Sequence, residues 1–152
     1  MGKVIRVLGV DPGATMGLAL IETDGVSFKG LEARVGRFDA IDSYLPGVDL
    51  VAIETFEYQG PKRARTIGQV AYGVGLAVGH CKARGARVTV IARTDVLRAL
   101  KLRGNASKGA CRQAVSAFLG MTFEGEHTAD AGAVALVAGL RFGPDFSSVR
   151  DL

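Results

Sequence analysis

The chain has no tryptophan, and its seven phenylalanines leave the core to aliphatic side chains. No apolar run reaches the roughly 18 residues that a membrane-spanning helix needs, and no signal-peptide pattern is present. These absences lead us to expect a cytoplasmic protein with no membrane partner. Cysteine is equally sparse: Cys81 and Cys111 stand apart, without metal-ligand spacing, in helical patterns. Such residues read as reduced core thiols rather than a disulfide or zinc site. Acidic residues are missing from the middle of the chain. Between Tyr58 and Phe123 the only one is Asp95, against twelve lysines and arginines, although the net charge is just +4. Solvated basic helix faces would carry interspersed glutamates, so the one-signed block points to a polyanionic partner, nucleic acid above all.

What is present fits a single domain: 152 residues, 48% apolar and 22% charged. The expected division is one folded domain over 1–142 and a short polar tail over 143–152. The first apolar run, Val4-Ile5-Arg6-Val7-Leu8-Gly9-Val10, has the character of a strand buried on both faces. Asp11-Pro12-Gly13 ends it, because Pro12 cannot donate to a ladder and Gly13 accepts a turn. Gly17-Leu18-Ala19-Leu20-Ile21 then returns as a hairpin strand. Thr23-Asp24-Gly25 turns the chain into a third strand over 27–35, completing an antiparallel meander. Phe38, Ile41 and Leu45 follow at helical spacing until Pro46-Gly47. Leu50-Val51-Ala52-Ile53 is another buried strand and finishes in Glu54. The helical crossover before it makes it parallel to the first strand, which brings Asp11 and Glu54 to the same carboxyl edge of the sheet.

The segment Thr55-Phe56-Glu57-Tyr58-Gln59-Gly60-Pro61 is neither helical nor extended in pattern and carries two aromatics beside that edge. A long helix is predicted over 62–84, with Lys62 and Arg63 in its basic first turn. Gly68, Gly73, Gly75 and Gly79 interrupt it, each at a cost of roughly 0.5–1 kcal/mol against alanine. Gly68, Gly75 and Gly79 share one face with Tyr72, a surface suited to close approach by the sheet or by a second subunit. A fifth strand, Val88-Thr89-Val90-Ile91, precedes a short helix over 95–100 capped by Thr94. That helix ends in the basic series Arg98, Lys101, Arg103. Ser107 is a good N-cap for a helix starting at Lys108. The last, apolar helix opens with His127-Thr128-Ala129-Asp130, whose i, i+3 spacing lets His127 and Asp130 project from one face.

An Asp ending the first strand, a Glu ending the fourth and a His-x-x-Asp opening the last helix resemble the RuvC family of Holliday-junction resolvases. The resemblance spans nearly the whole chain. It includes Leu8-Gly9-Val10-Asp11-Pro12-Gly13, Ala52-Ile53-Glu54, Ile67-Gly68-Gln69 through Gly73, Ala106-Ser107-Lys108 and Thr128-Ala129-Asp130-Ala131. Family members carry Asp or His at the position of His127. The chain is shorter than the familiar bacterial enzymes, as a compact phage-type member would be.

The resemblance implies a ribonuclease H-like α/β fold: a five-stranded mixed sheet, three antiparallel strands then two parallel, flanked by helices. It also implies an endonuclease that resolves four-way DNA junctions by paired nicks, using two Mg²⁺ with Mn²⁺ as a substitute. Asp11, Glu54 and Asp130 offer the hard oxygen ligands that Mg²⁺ prefers, with Asp11 as the bridge and His127 as a further ligand or water-orienting group. Lys108 matches a basic residue that the family uses near the scissile phosphate. By position and charge, Lys62, Arg63, Arg98, Lys101 and Arg103 are expected DNA contacts, and Phe56 and Tyr58 lie where the family places an aromatic at the junction centre. Two symmetric cuts call for a homodimer, which the resemblance implies too. A same-fold RNA-processing nuclease and a non-catalytic nucleic-acid-binding relative stand as alternatives. An actin-like ATPase shares the Asp-x-Gly hairpin but needs a second domain that 152 residues do not hold.

Overall fold

The computed structural model describes residues 2–13, 15–55, 64–145 and 148–149, with backbone alone for 64–67. Five strands form one sheet: β1 (Ile5–Asp11), β2 (Met16–Thr23), β3 (Phe28–Gly36), β4 (Leu50–Thr55) and β5 (Val88–Ala92), in spatial order β3-β2-β1-β4-β5. β1, β2 and β3 are antiparallel neighbours, whereas β4 runs parallel to β1 and β5 parallel to β4. The meander and the parallel pair expected from the sequence are both present.

Period-two alternation sends successive strand residues to opposite faces and so builds two cores. Leu8, Val10, Leu18, Val51 and Ile53 face α1 (Phe38–Tyr44) and α2 (Ala64–Ala83), where they meet Ile41, Val74, Ala77 and Cys81. Ile5, Val7, Ala19, Ile21, Leu50 and Ala52 face the other way. On that side lie α3 (Arg93–Ala99), α4 (Lys108–Leu119) and α5 (Glu126–Phe142). α5 is the central helix. It is buried from Ala131 through Gly139, between the sheet and the α3/α4 layer. This is why its sequence is apolar all round instead of striped. Beyond α5, Val149 is also buried in this core. Cys81 and Cys111 are free and buried, and burial pushes the Cys81 thiol up to about 11.

One local expectation is corrected. The helix after β5 starts at Arg93 rather than Asp95, and Thr94 lies inside it instead of capping it. The cap is supplied from the third helical position, where Asp95 Oδ2 accepts the Ala92 N–H at 2.9 Å. That bond satisfies an otherwise orphaned donor just as well as a hydroxyl cap would. The glycines of α2 decide between the two partners that their face allowed. A Cβ built on Gly68, Gly73, Gly75 or Gly79 meets nothing within 4 Å, so the sheet does not explain these glycines.

Ser107 caps α4 as expected, accepting the Ala110 N–H at 3.1 Å. The end of α3 is less usual. Lys101 has φ 56°, the left-handed conformation, and the Leu102 N–H returns to the Leu97 carbonyl at 2.8 Å. This is the hydrogen-bond pattern of a helix terminus that normally employs glycine. We therefore expect Lys101→Gly to be more stable than Lys101→Ala by about 1 kcal/mol, since both lose the ammonium and only glycine relieves the strain. Urea denaturation of the two variants side by side measures the difference.

Candidate active site

Alternation places Asp11 on the same face of β1 as Val7 and Gly9, and Glu54 on the same face of β4 as Leu50 and Ala52. Gly9 pairs with Ala52 and Val10 with Ile53, so the same register sets Asp11 beside Glu54. Both carboxylates thus stand at the strand ends under the first turn of α5. What lowers α5 onto them is a pair of glycines. A Cβ on Gly9 would lie 1.8 Å from the Ala131 carbonyl oxygen, and one on Gly17 would lie 2.0 Å from the His127 carbonyl oxygen. Gly17 is the β2 partner of Asp11, so the helix backbone touches the sheet directly at the site. Asp130 completes the group: one oxygen from each of Asp11, Glu54 and Asp130 lies within 4.8 Å of the others.

His127 joins through Asp11, its Nδ1 donating to Oδ2 at 2.9 Å. Lys108, at the start of α4, reaches across to α5. Its Nζ lies 3.1 Å from Asp130 Oδ2 and 2.5 Å from Glu126 Oε1. Behind the carboxylates a narrow cleft is lined by Glu54, Asp130, Arg93, Cys111 and Arg112. Arg93 donates to the Ala106 carbonyl at 3.1 Å and Arg112 to the Phe123 carbonyl, so two guanidinium groups brace the loops on either side of α4.

The electrostatics follow from crowding carboxylates at a half-buried edge. Burial, followed by the neighbouring charge of Asp11, raises Glu54 to about 9. Burial raises Asp11 to about 6, with the charge of Asp130 adding to the effect and the hydrogen bond from Glu54 opposing it. Burial works against the Lys108 ammonium, but its bond to Glu126 and the charge of Asp130 outweigh this, and its pKa rises. A set of hard oxygens crowded in this way suits a divalent cation, which would offset both the burial of the charges and their mutual repulsion.

A measurable consequence follows. A carboxyl group whose folded pKa lies above its ordinary value costs no stability in acid and progressively more as pH rises between the two values. For Glu54 that window runs from 4.5 to about 9, and for Asp11 from 3.8 to about 6. The metal-free protein should therefore lose stability as pH is raised from about 5 to about 9. Glu54→Gln should raise the melting temperature at the alkaline end and flatten its pH dependence. Mg²⁺ should stabilise the wild type and not the variant, as thermal melts with and without the ion will show.

Arg98, Lys101 and Arg103 are exposed, on α3 and the loop after it. Arg98 acts on Asp95, which pairs with Arg141 at 3.1 Å near the far end of α5. By helical rise, Arg141 lies about 16 Å along α5 from Asp130. Phe56, Tyr58, Lys62 and Arg63 lie outside the described residues. Three site residues escaped the sequence analysis. Glu126 shares the i, i+4 helix face of Asp130, a spacing visible in the chain. Gly9 and Gly17 had no signal beyond being glycines in strands.

No family model matches the chain, and no curated relative matches it either. Solved structures do. The structure of Thermus thermophilus RuvC is 22% identical, covers 90% of this chain and 94% of its own, and superposes with a TM-score of 0.71. T. thermophilus RuvC in complex with a Holliday junction substrate is 25% identical with the same coverage and a TM-score of 0.72. The chain has a RuvC-like fold of the ribonuclease H type.

Proposed function

We propose that this protein is a metal-dependent endonuclease that cuts four-way DNA junctions. One observation carries the reading: carboxylates from β1, β4 and α5 converge within 4.8 Å at the carboxyl edge of a RuvC-like sheet. The solved relative with a bound Holliday junction supplies the substrate class, and the basic block from Lys62 to Arg112 supplies the matching charge.

Asp11, Glu54 and Asp130 would hold two Mg²⁺, or Mn²⁺ in their place. Such ions, when bound, stabilise charge on the phosphoryl oxygens and assist both the attacking water and the leaving alkoxide. With Nδ1 engaged by Asp11, His127 has Nε2 left to orient a water or to ligate a cation. Lys108 has the reach to place an ammonium on the scissile phosphate. Arg98, Lys101 and Arg103 are assigned to more distant backbone phosphates, where they position DNA without reading its sequence. Lys62, Arg63, Phe56 and Tyr58 are assigned on sequence position, the aromatics to the junction centre immediately after Glu54.

Paired cuts on a twofold-symmetric junction require two such sites, so the active species is a homodimer in this reading. α2 offers the surface: Tyr72 is 70% and Leu76 44% exposed, beside the open positions of Gly75 and Gly79. Solvent-facing apolar groups at i, i+3, i+4 and i+7 suit packing against an identical helix. Gly75→Glu should sediment as a monomer and nick junctions singly, whereas a dimer that still makes paired cuts would remove α2 from the interface.

The deciding experiment is incubation with a labelled four-way DNA junction, a matched duplex and an RNA–DNA hybrid, with and without Mg²⁺. The reading requires Mg²⁺-dependent symmetric cuts in the junction. Cleavage of the hybrid alone would assign the site to RNA processing, and binding without cleavage would make the protein a silent relative. Among the described residues, no helix is long and apolar enough to cross a membrane.

A further inference from the structure

The contact between Glu126 and Lys108 carries an inference that rests on the nuclease reading and goes beyond it. One ammonium spans two carboxylates of α5, the inner Asp130 at 3.1 Å and the outer Glu126 at 2.5 Å. Their side-chain exposures, 18% for Asp130 and 57% for Glu126, order them from the cation site outward. The two carboxylates are i, i+4 on one helix, so a small rotation of the lysine stem lets Nζ leave Asp130 while keeping Glu126. We propose that Glu126 is the residue onto which Lys108 retreats when a divalent cation takes Asp130, so that Glu126 sets how readily the site loads.

The physical argument is a competition. Lys108 lies against Asp130, so a cation bound by that carboxylate would meet the ammonium. An ammonium repelled from Asp130 with nowhere to go would remain close to the incoming ion and oppose it. Glu126 accepts the ammonium outside the site and keeps it within reach of an arriving phosphate. The bond from Lys108 is the strongest influence on Glu126, and it holds the carboxylate at the outer edge of the site. Glu126 also opens α5, where a negative charge is favoured by the helix dipole, and Gly125 offers no side-chain cap. A carboxylate needed only for the dipole would act independently of Lys108. The proposal requires that it does not.

Mn²⁺ binding to the full-length protein, measured by calorimetry, separates the two. The variants are Glu126→Gln, Lys108→Met and the pair combined, each checked for an unchanged fold by circular dichroism. Lys108→Met should bind Mn²⁺ more tightly than wild type, because the competing ammonium is gone. Glu126→Gln should weaken Mn²⁺ binding about tenfold when Lys108 is present and clearly less when it is Met, the non-additivity expected of groups in one network. Equal fold-changes in the two backgrounds would overturn the proposal and leave Glu126 as a point charge. Such additivity, with Mn²⁺ still lost on Asp11→Asn, would spare the nuclease reading. A wild type that binds no Mn²⁺ would sink both.

Discussion

Asp11→Asn is expected to abolish junction cleavage while leaving junction binding nearly intact. Asp11 stands beside Glu54 and Asp130 and receives His127 at 2.9 Å. The amide keeps the shape but removes a charged oxygen ligand shared by the cluster. A divalent ion contributes several kcal/mol of transition-state stabilisation, so the single-turnover rate should fall by at least about 10³-fold. Affinity should hold, because phosphate attraction arises from the lysines and arginines of the basic block. It should rise slightly in chelator, where one repulsive charge has gone. Glu54→Gln and Asp130→Asn should behave alike, and any one of them cutting at near wild-type rate would remove that residue from the site. His127→Asp should retain Mg²⁺-dependent activity, because a carboxylate there still offers oxygen to a cation. Rapid-quench assays under enzyme excess, paired with binding titrations in chelator, read both quantities.

The second large effect comes from a residue with no polar chemistry. Gly17→Ala places a methyl group 2.0 Å from the carbonyl oxygen of His127, and Gly9→Ala places one 1.8 Å from that of Ala131. The obstacle in each case is helix backbone, which cannot rotate away as a side chain can. Either α5 lifts from the sheet or β1 and β2 deform. Overpacking of this kind costs at least about 3 kcal/mol, beyond the usual range for an added methyl group. The two variants should differ in kind. Gly9 lies under the buried middle of α5, so Gly9→Ala should chiefly destabilise the fold. Gly17 lies under the first turn, so Gly17→Ala should also draw His127 and Asp130 away from Asp11 and weaken Mn²⁺ binding in the molecules that remain folded. A Gly17→Ala protein with wild-type melting and wild-type Mn²⁺ affinity would show that the close approach of α5 is not what assembles the site.

Together these expectations describe a site that is costly to the protein without its cation. Glu54 and Asp11 are half-buried with raised pKa values, and the ammonium of Lys108 supplies partial compensation. Loading a divalent ion would exchange that compensation for a stronger one and release the lysine toward Glu126 or substrate. Stability in the absence of metal and activity in its presence should therefore move in opposite directions when Glu54 is neutralised.

Much of this architecture was legible in the chain, because its signals are local. Period-two apolar runs, the Asp11-Pro12-Gly13 stop and the helix between β3 and β4 dictate which residues end the strands and which strands run parallel. From there the common edge for Asp11 and Glu54 follows by counting. Ser107 before Lys108 announced its helix by cap chemistry alone. The cap of α3 was not legible in the same way, since Thr94 and Asp95 are both competent and only the realised backbone selects the carboxylate.

What tertiary structure alone decided is the meeting of distant elements. Nothing in a strand sequence distinguishes a glycine kept for a turn from one kept so that a helix can lie against it. Gly9 and Gly17 become intelligible only when α5 is seen touching them. The same holds for Lys108, whose two carboxylate partners lie on another helix, 18 and 22 residues away. It holds too for α2, where Gly68, Gly75 and Gly79 form a packing face in sequence and a Cβ on any of them meets nothing within 4 Å among the described residues. Local patterns record what each segment does with its own backbone and which face it buries. The distance between two faces depends on the atoms of both, and that distance is what turns three separate acidic residues into one site.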